Sequence, residues 1–418
     1  MNRYCLQVDA THAVTLPESL EFLRVDLEQG LRTEDELAEA ILAAGDDDLL
    51  PELYCFLQDL RVQAALRYNA YSEGQLLGVI EPLNGTVRLQ DNNGESTHLS
   101  RFAYLRHDAG GAVLDCPESG ARIRLEAPAV AEISEAMRTG VVNPGPVRDL
   151  LLAAGYLEPE RQSDNRAVWE FHDLLFHNAS RIGRPWGSIG ATWRFEGRLV
   201  QPPLCKPPMS ADVIALRGTG AVDGSFSEVL GKRRSVRISK KVLTVTELST
   251  LLYHVFQLKE TYTEGMMQTA HRAFPSGGGI HELECYVWIR ECDGLDAGLY
   301  HYQANAHALA RLDAQEHQRA AIFAFGRSAW GSHYPAPQVV LTLAARFPRI
   351  AVKYERMAYR AVLLNAGCAM QTVYLVATAM GVAVCGLGNS APQIFAEATG
   401  LSPLEETSVA EIALSGEV

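Results

Sequence analysis

A long, mostly apolar run, AVLLNAGCAMQTVYLVATAMGVAVC, fills residues 361–385. About 20 apolar residues suffice to span a bilayer as a helix, so such a run either crosses a membrane or is buried in protein. Asn365 and Gln371 interrupt it, small residues recur along it, and Arg360 abuts its start. These features predict a core or dimer-interface helix, and no membrane association. Burying such a helix requires much surrounding apolar material. A composition of 47% apolar and 21% charged residues provides it. Directly ahead of the run stands AVKYERMAYR, residues 351–360, in which Lys353 adjoins Tyr354. That pair is either the polar start of a buried helix or a piece of chemistry.

The length of 418 residues exceeds one average domain. Residues 33–66 carry helical apolar spacing, with a Thr33–Asp35–Glu36 start and Gly45 as a stop signal. Between residues 76 and 126 the pattern changes to short strands, LLGVIEPL, TVRL, FAYLRH, AVLDC and ARIRLE, separated by turns such as NNGES and PESGA. VAEISEAM and PVRDLLLAAGYL read as two further helices. Small helices followed by a hairpin describe a winged-helix-like module. The Gly- and Pro-rich stretch RPWGSIGATWRFEGRLVQPPLCKPPMSADVIAL reads as a crossover, with a boundary near residue 210. Beyond it the pattern is α+β. LTVTELSTLLYHVFQL is a helix with capping-box spacing at Thr244 and Glu247. LECYVWIRE and QVVLTLAAR read as strands, and GLYHYQANAHALARL as a hairpin.

A net charge of −13 argues against general affinity for nucleic acid. The eight cysteines form no CxxC pair, which excludes a zinc ribbon, and no metal site is predicted. They read as reduced, packed thiols of a cytoplasmic protein, and MNRYCLQVDATHAV lacks the apolar core of a signal peptide. His172 and His177, five positions apart, do not share a helix face well and read as structural.

Three segments carry candidate chemistry. GKRRSVRIS holds Arg233, Arg234, Ser235 and Arg237, a local inversion of charge in an acidic chain. Arginine forks and a serine hydroxyl suit a phosphate clamp. HRAFPSGGGIHELECYV contains Pro275, Ser276, Gly277 and Gly278, where missing side chains let backbone amides approach a planar ligand. It is neither a Walker loop nor a GxGxxG fingerprint. VAVCGLGNSAP, with Leu387, Gly388 and Asn389, is a glycine turn that can place backbone beside a ring system.

Taken in this order, the three segments resemble the flavin-binding segments of the nitroreductase superfamily. Within it, RRSVR, PSGGGIHELECYV, AGLYHY and KYERMAYR are similar to the SagB/ThcOx-type azoline dehydrogenases. LSRFAYLRHDAGGAVLDCPESGARIRLEAP and WEFHDLLFHNASRIGR resemble that branch's leading modules. The resemblance covers most of the chain and is weakest over its first 70 or so residues. It implies an α+β chain with a nitroreductase-like FMN domain at 211–418. Ahead of it would lie a winged-helix-like module at 1–80 and a second small module with the crossover at 81–210. It implies FMN as cofactor: Arg233, Arg234, Ser235 and Arg237 at the phosphate and ribityl chain, Pro275 to Gly278 along the ring, Leu387, Gly388 and Asn389 on its other side, and Gln371 as a further contact. It implies oxidation of thiazoline or oxazoline rings in a ribosomal peptide, a homodimer, and a cyclodehydratase as a further partner. The long helix departs from the branch's EAGH…QN pattern: Asn365 stands for the acid, Cys368 for the histidine and Thr372 for the asparagine. The chain also ends at ALSGEV, without the basic residue some nitroreductases aim at the phosphate, which places more weight on Arg233, Arg234 and Arg237.

Aromatising an azoline removes a proton and a hydride from adjacent ring carbons. A cofactor accepts the hydride; the protein supplies a base and a position. A free tyrosine titrates near pH 10, and an adjacent ammonium is expected to lower that value. Desolvation would lower the lysine's own, so either member of the pair can be the base. Adjacent residues face one substrate only from a loop or a helix start. Two alternatives keep other classes open. One is an FMN enzyme acting on a carrier-bound or free heterocycle, or on NAD(P)H and nitro compounds. The other is a non-catalytic peptide-binding scaffold in a heterocyclase complex.

Overall fold

A computed structural model describes residues 3–83, 97–159, 164–182, 188–217, 220–265 and 267–418. The expected strand TVRL, the turn NNGES and the RPWG of the crossover lie outside the described residues. The chain divides into two units, Met1–Ile189 and Gly190–Val418.

The first unit opens with β1 (Arg3–Val8), α1 (Arg24–Gln29), α2 (Glu34–Ala44) and α3 (Leu50–Val62). The helical stretch expected over 33–66 is two helices because Gly45 turns left-handed (φ 79°), which ends α2. At the start of α2, Thr33 and Glu36 exchange hydrogen bonds in a capping box. Strands β2 (Leu66–Ser72) and β3 (Gln75–Pro82) follow as a hairpin, the helix–helix–hairpin order of a winged-helix-like module. Next come β4 (His98–Leu99), β5 (Tyr104–Asp108), β6 (Gly111–Asp115), β7 (Ala121–Leu125), α4 (Ala127–Thr139), α5 (Pro146–Ala153) and β8 (Leu157–Glu158). Two short helices, α6 (Asp164–Ala167) and α7 (Phe171–Ala179), close the unit. The boundaries expected at 80 and 210 are not where the structure divides. Six strands from both sides of residue 80 form one sheet, β1-β2-β3-β7-β6-β5, and β3 pairs with β7 from Gly78↔Leu125 to Pro82↔Ala121.

The second unit begins with β9 (Gly190–Ala191), β10 (Val213–Ala215), α8 (Phe226–Lys232), α9 (Val245–Phe256), β11 (Glu260–Glu264) and β12 (Met267–His271). It continues through β13 (Leu283–Ile289), β14 (Gly298–Gln303), β15 (Ala308–Leu312), α10 (Glu316–Trp330), β16 (Val339–Ala345), α11 (Phe347–Ala351) and β17 (Tyr354–Glu355). It ends with α12 (Ala358–Met380), β18 (Val382–Gly386), α13 (Pro392–Thr399) and β19 (Thr407–Glu417). Seven strands form one antiparallel sheet, β10-β15-β14-β13-β16-β19-β18. Side chains alternate across it, as strand geometry requires. Cys285, Val287 and Ile289 of β13 join Leu251 of α9 and Val362 of α12 in one core. Tyr286 and Trp288 face the opposite way, onto Ile322 of α10 and Phe395 of α13. Each large apolar side chain so buried contributes roughly 1.5–3 kcal/mol.

The long apolar run at 361–385 is two elements. Gly381 turns left-handed (φ 67°), which stops α12, and residues 382–386 become the edge strand β18. Among the described residues α12 is the helix long and apolar enough to cross a membrane. One of its faces, Ala358, Ala361, Val362, Asn365, Ala366, Ala369, Val373 and Ala377, is buried in this unit. All eight cysteines are free, but Cys55 and Cys368 are exposed, not packed as expected.

Candidate active site

The glycine loop and the Lys–Tyr pair meet. Gly278 and Gly279 adopt left-handed φ values of 63° and 65°, open to glycine at little cost. A Cβ added to Gly278 would lie 2.7 Å from the Tyr354 hydroxyl and 3.0 Å from Lys353 Nζ. Both polar groups therefore converge on one backbone position. The turn that allows this is not a helix start: Lys353 follows α11, and Tyr354 opens β17, which pairs with β9 (Tyr354↔Ala191, Glu355↔Gly190). The crossover is thus part of the site. Trp193 donates its backbone N–H to the Lys353 carbonyl, and its ring lies 5.4 Å from Lys353 Nζ, against 5.5 Å for the Tyr354 ring. Its only signal in the sequence is that it is one of two Trp residues in a Gly/Pro-rich stretch.

Burial pushes the Tyr354 phenol above its ordinary value. This reverses the expected lowering by the adjacent ammonium: desolvation disfavours the phenolate and dominates. His281, two residues beyond Gly279, is buried, with Nε2 on the Ala270 carbonyl, and burial holds it down at about 3. It is neutral and structural.

Two buried side chains fix the loop. Asn365 of α12 donates from Nδ2 to Glu282 (2.8 Å) and to Ser276 Oγ (3.2 Å), and its Oδ1 accepts the Gly277 N–H (3.2 Å). Arg349 of α11, fully buried, donates to the carbonyls of Ile280, Pro202 and Gln268, which belong to the loop, the crossover and β12. Sequence reasoning missed Glu282 and Arg349: Glu282 meets Asn365 from 83 positions away, and Arg349 meets Pro202 from 147.

The RRSVR segment runs beside the other half of α12. Ser225 caps α8, which delivers Arg233, and Val236 donates to the Val384 carbonyl of β18. Ser235 Oγ lies 2.8 Å from the Tyr374 hydroxyl, which accepts the Gly386 N–H at 2.7 Å. Arg233 stacks over the Tyr374 ring, and Arg237 over the ring of Tyr334. Arg233 and Arg234 line a cavity of about 780 Å³ together with Thr378, Met380 and Val382. Leu387 is buried and donates to the Glu411 carbonyl, whereas Gly388 has open space where a Cβ would stand. Asn389 is exposed, and its Oδ1 accepts the Ser390 N–H. Pro275 is exposed at the loop's edge, and Gln371 is exposed on the open face of α12 beside Gly367 and Cys368.

Helix α12 is the common rail. Asn365 holds the glycine loop, and Tyr374 holds RRSVR and the CGLGN turn. Nine residues separate them, about 14 Å at 1.5 Å per residue. They also stand half a turn apart around the axis, so α12 braces the two segments from opposite sides. FMN fits the residues present. Arg237 Nε is buried with no hydrogen-bond partner among the described residues and so keeps a donor for phosphate, and Gly367 and Gly388 leave space that a Cβ would fill.

The nitroreductase family model matches residues 230–414. A curated Methanocaldococcus jannaschii protein bearing a nitroreductase name is 30% identical over 164 residues, 39% of this chain and 78% of that protein. The chain belongs to the nitroreductase family, whose members are generally FMN-dependent oxidoreductases. Its C-terminal unit is a nitroreductase-like domain of the flavin-type oxidoreductases. Among solved structures, an Anabaena variabilis protein named as a nitroreductase is 21% identical with a TM-score of 0.41. That match covers 57% of this chain, which spans under half (45%) of that protein. The Escherichia coli microcin synthetase McbBCD, solved with truncated pro-MccB17 bound, is 19% identical with a TM-score of 0.37, covering 56% of this chain and 85% of that one.

Proposed function

We propose that this chain is an FMN-dependent dehydrogenase that oxidises thiazoline or oxazoline rings of a peptide to thiazoles or oxazoles. The observation that carries this reading is the convergence of Lys353 Nζ and the Tyr354 hydroxyl on Gly278, in the loop suited to a flavin. Reducing a nitro group with NAD(P)H requires no side chain that removes a carbon-bound proton. Aromatising an azoline does.

Arg233, Arg234, Ser235 and Arg237 would hold the phosphate and ribityl chain. Pro275, Ser276, Gly277 and Gly278 would line one face of the ring, and Gln371, Leu387, Gly388 and Asn389 the other. FMN bound there supplies the acceptor for the substrate's hydride, at flavin N5. The chain's own residues handle the proton. Burial keeps Tyr354 a neutral phenol, so its O–H donates a hydrogen bond to the substrate ring. Lys353 would take the proton from the ring carbon. Trp193, Tyr354 and the Gly278 backbone hold its Nζ in place. The first unit would grip the peptide, a cyclodehydratase would supply the azoline, and the active species would be a cytoplasmic homodimer.

The test is flavin content and product mass. Purified protein is expected to carry FMN or take it up on titration, and an azoline peptide to lose two hydrogens per ring. Protein that neither carries nor takes up FMN sinks the reading, and so does NAD(P)H-driven nitroreduction without ring oxidation. Lys353→Ala should retain flavin and lose at least about 10²-fold in kcat, the lower range for a general base. Tyr354→Phe should lose about tenfold, one hydrogen bond to the reacting ring at about 1.4 kcal/mol. Full activity in both variants removes the pair from the mechanism.

A further inference from the structure

We propose that Asn365 is the positioning residue of this site: its amide, held against the buried Glu282 carboxylate, locks Ser276 and Gly277 onto α12 and so sets where Gly278 meets Lys353 and Tyr354. The network is closed and reciprocal. Glu282, fully buried, accepts from Asn365 Nδ2 (2.8 Å) and from Ser276 Oγ (3.1 Å). Asn365 Oδ1 accepts the Gly277 N–H (3.2 Å), and Ser276 Oγ accepts the His281 N–H (3.0 Å). Position 365 must therefore donate to a carboxylate and accept from an amide at once. A carboxamide does both. An ionised carboxylate can only accept, and would confront Glu282 with a second negative charge in a buried space.

Viewed along the sequence alone, Asn365 looks like a loss, an amide where an acid is expected. With Glu282 beside it, the amide is the group that fits. A protonated carboxylic acid would also fit, because its O–H can donate to Glu282 while its C=O accepts from Gly277. The clamp can thus be turned into a pH switch by one substitution. The charged and titratable groups around it are Glu282, Arg349 within electrostatic reach from α11, His281 held neutral by burial, and Lys353 with Tyr354 over Gly278.

The test is Asn365→Asp, the charge-swapped pair Asn365→Asp with Glu282→Gln, and the parent, each followed from pH 5 to 8. In the single variant, burial and the neighbouring Glu282 push the introduced carboxyl well above its usual range. A raised folded value contributes stability below the unfolded value that is lost as pH rises through the folded one. The single variant should therefore lie closest to the parent at pH 5 and lose at least about a further 5 °C of Tm relative to it by pH 8. Its FMN dissociation constant, read by fluorescence quenching, should rise about tenfold at pH 8, about 1.4 kcal/mol, and recover at pH 5. The swapped pair restores one amide facing one carboxylate and should abolish the pH dependence. The clamp rests on the flavin reading only in its FMN arm. No flavin binding by the parent, with the thermal switch and its rescue intact, overturns the flavin reading and upholds the clamp. A single variant that tracks the parent at every pH, or a swap as damaged as the single variant, overturns the clamp.

Discussion

Gly278 and Gly388 both belong to segments suited to a flavin, yet they constrain the site differently. At Gly278 the backbone is left-handed, and an added Cβ would run into Lys353 Nζ and the Tyr354 hydroxyl. Gly278→Ala should lose about 1 kcal/mol of stability from backbone conformation alone. It should also displace both polar groups, with kcat for ring oxidation at least about tenfold lower, the cost of about 1.4 kcal/mol at the barrier. Gly388 has no described atom within 4 Å of its added Cβ and no positive φ. Gly388→Ala should therefore leave the Tm unchanged and weaken FMN binding, because the methyl fills space a ligand needs. Unchanged FMN affinity in that variant would place the flavin elsewhere. The contrast also corrects the residue-level reading of Tyr354. The sequence shows the lysine beside it but not the burial around it, and burial decides the direction of its shift.

Among the elements, α11 is short and does much of the assembly. Its Arg349 has no carboxylate partner in hydrogen-bonding range among the described residues; three carbonyls from three separate segments solvate it. Burial draws this guanidinium down to about 10, which leaves it charged at neutral pH. Arg349→Met removes the donor and strands three acceptors, at about 1–3 kcal/mol for each one that stays dry. A loss of roughly 3 kcal/mol corresponds to a Tm lower by about 6–12 °C for a unit of this size. A Tm within about 2 °C of the parent would mean that the carbonyls find other donors. What the sequence disclosed at this scale follows from locality. RRSVR, PSGG and KY keep their chemical groups within a few residues of one another. The capping box at Thr244 and Glu247 is local too, and is present. Trp193, Glu282 and Arg349 were not legible, because each acts on a partner set by the fold: Trp193 reaches Lys353 through the β9–β17 pairing, and Arg349 reaches back to Pro202. Asn365 was visible as a departure from the branch's pattern, but its partner Glu282, 83 positions away, was not.

On the scale of the whole molecule, the second unit leaves a broad apolar surface open. Leu363 and Leu364 of α12 are 40% and 56% exposed, Tyr359 stands beside them, and Phe226 and Leu230 are exposed on α8, which packs against α12. Such a surface, running along the helix that carries both halves of the candidate site, is suited to a second copy of the chain. In a symmetric dimer the same face serves both copies, so two substitutions per chain act four times. Full burial of a leucine contributes at least about 1.5 kcal/mol. These two start half-exposed, so the four together contribute roughly 3 kcal/mol, or about 10²-fold in the dimer dissociation constant. Leu363→Glu with Leu364→Glu should therefore convert a sedimenting dimer to monomer at micromolar concentration. Both leucines point away from the buried face of α12 that holds Asn365, so the Tm of the monomeric unit should stay close to the parent's. FMN affinity should fall with dissociation if the partner copy completes the site beside Gln371 and Cys368. A double variant that remains dimeric assigns the interface to another face. A monomeric variant with undiminished FMN affinity keeps the interface on α12 but makes each chain sufficient for its own flavin.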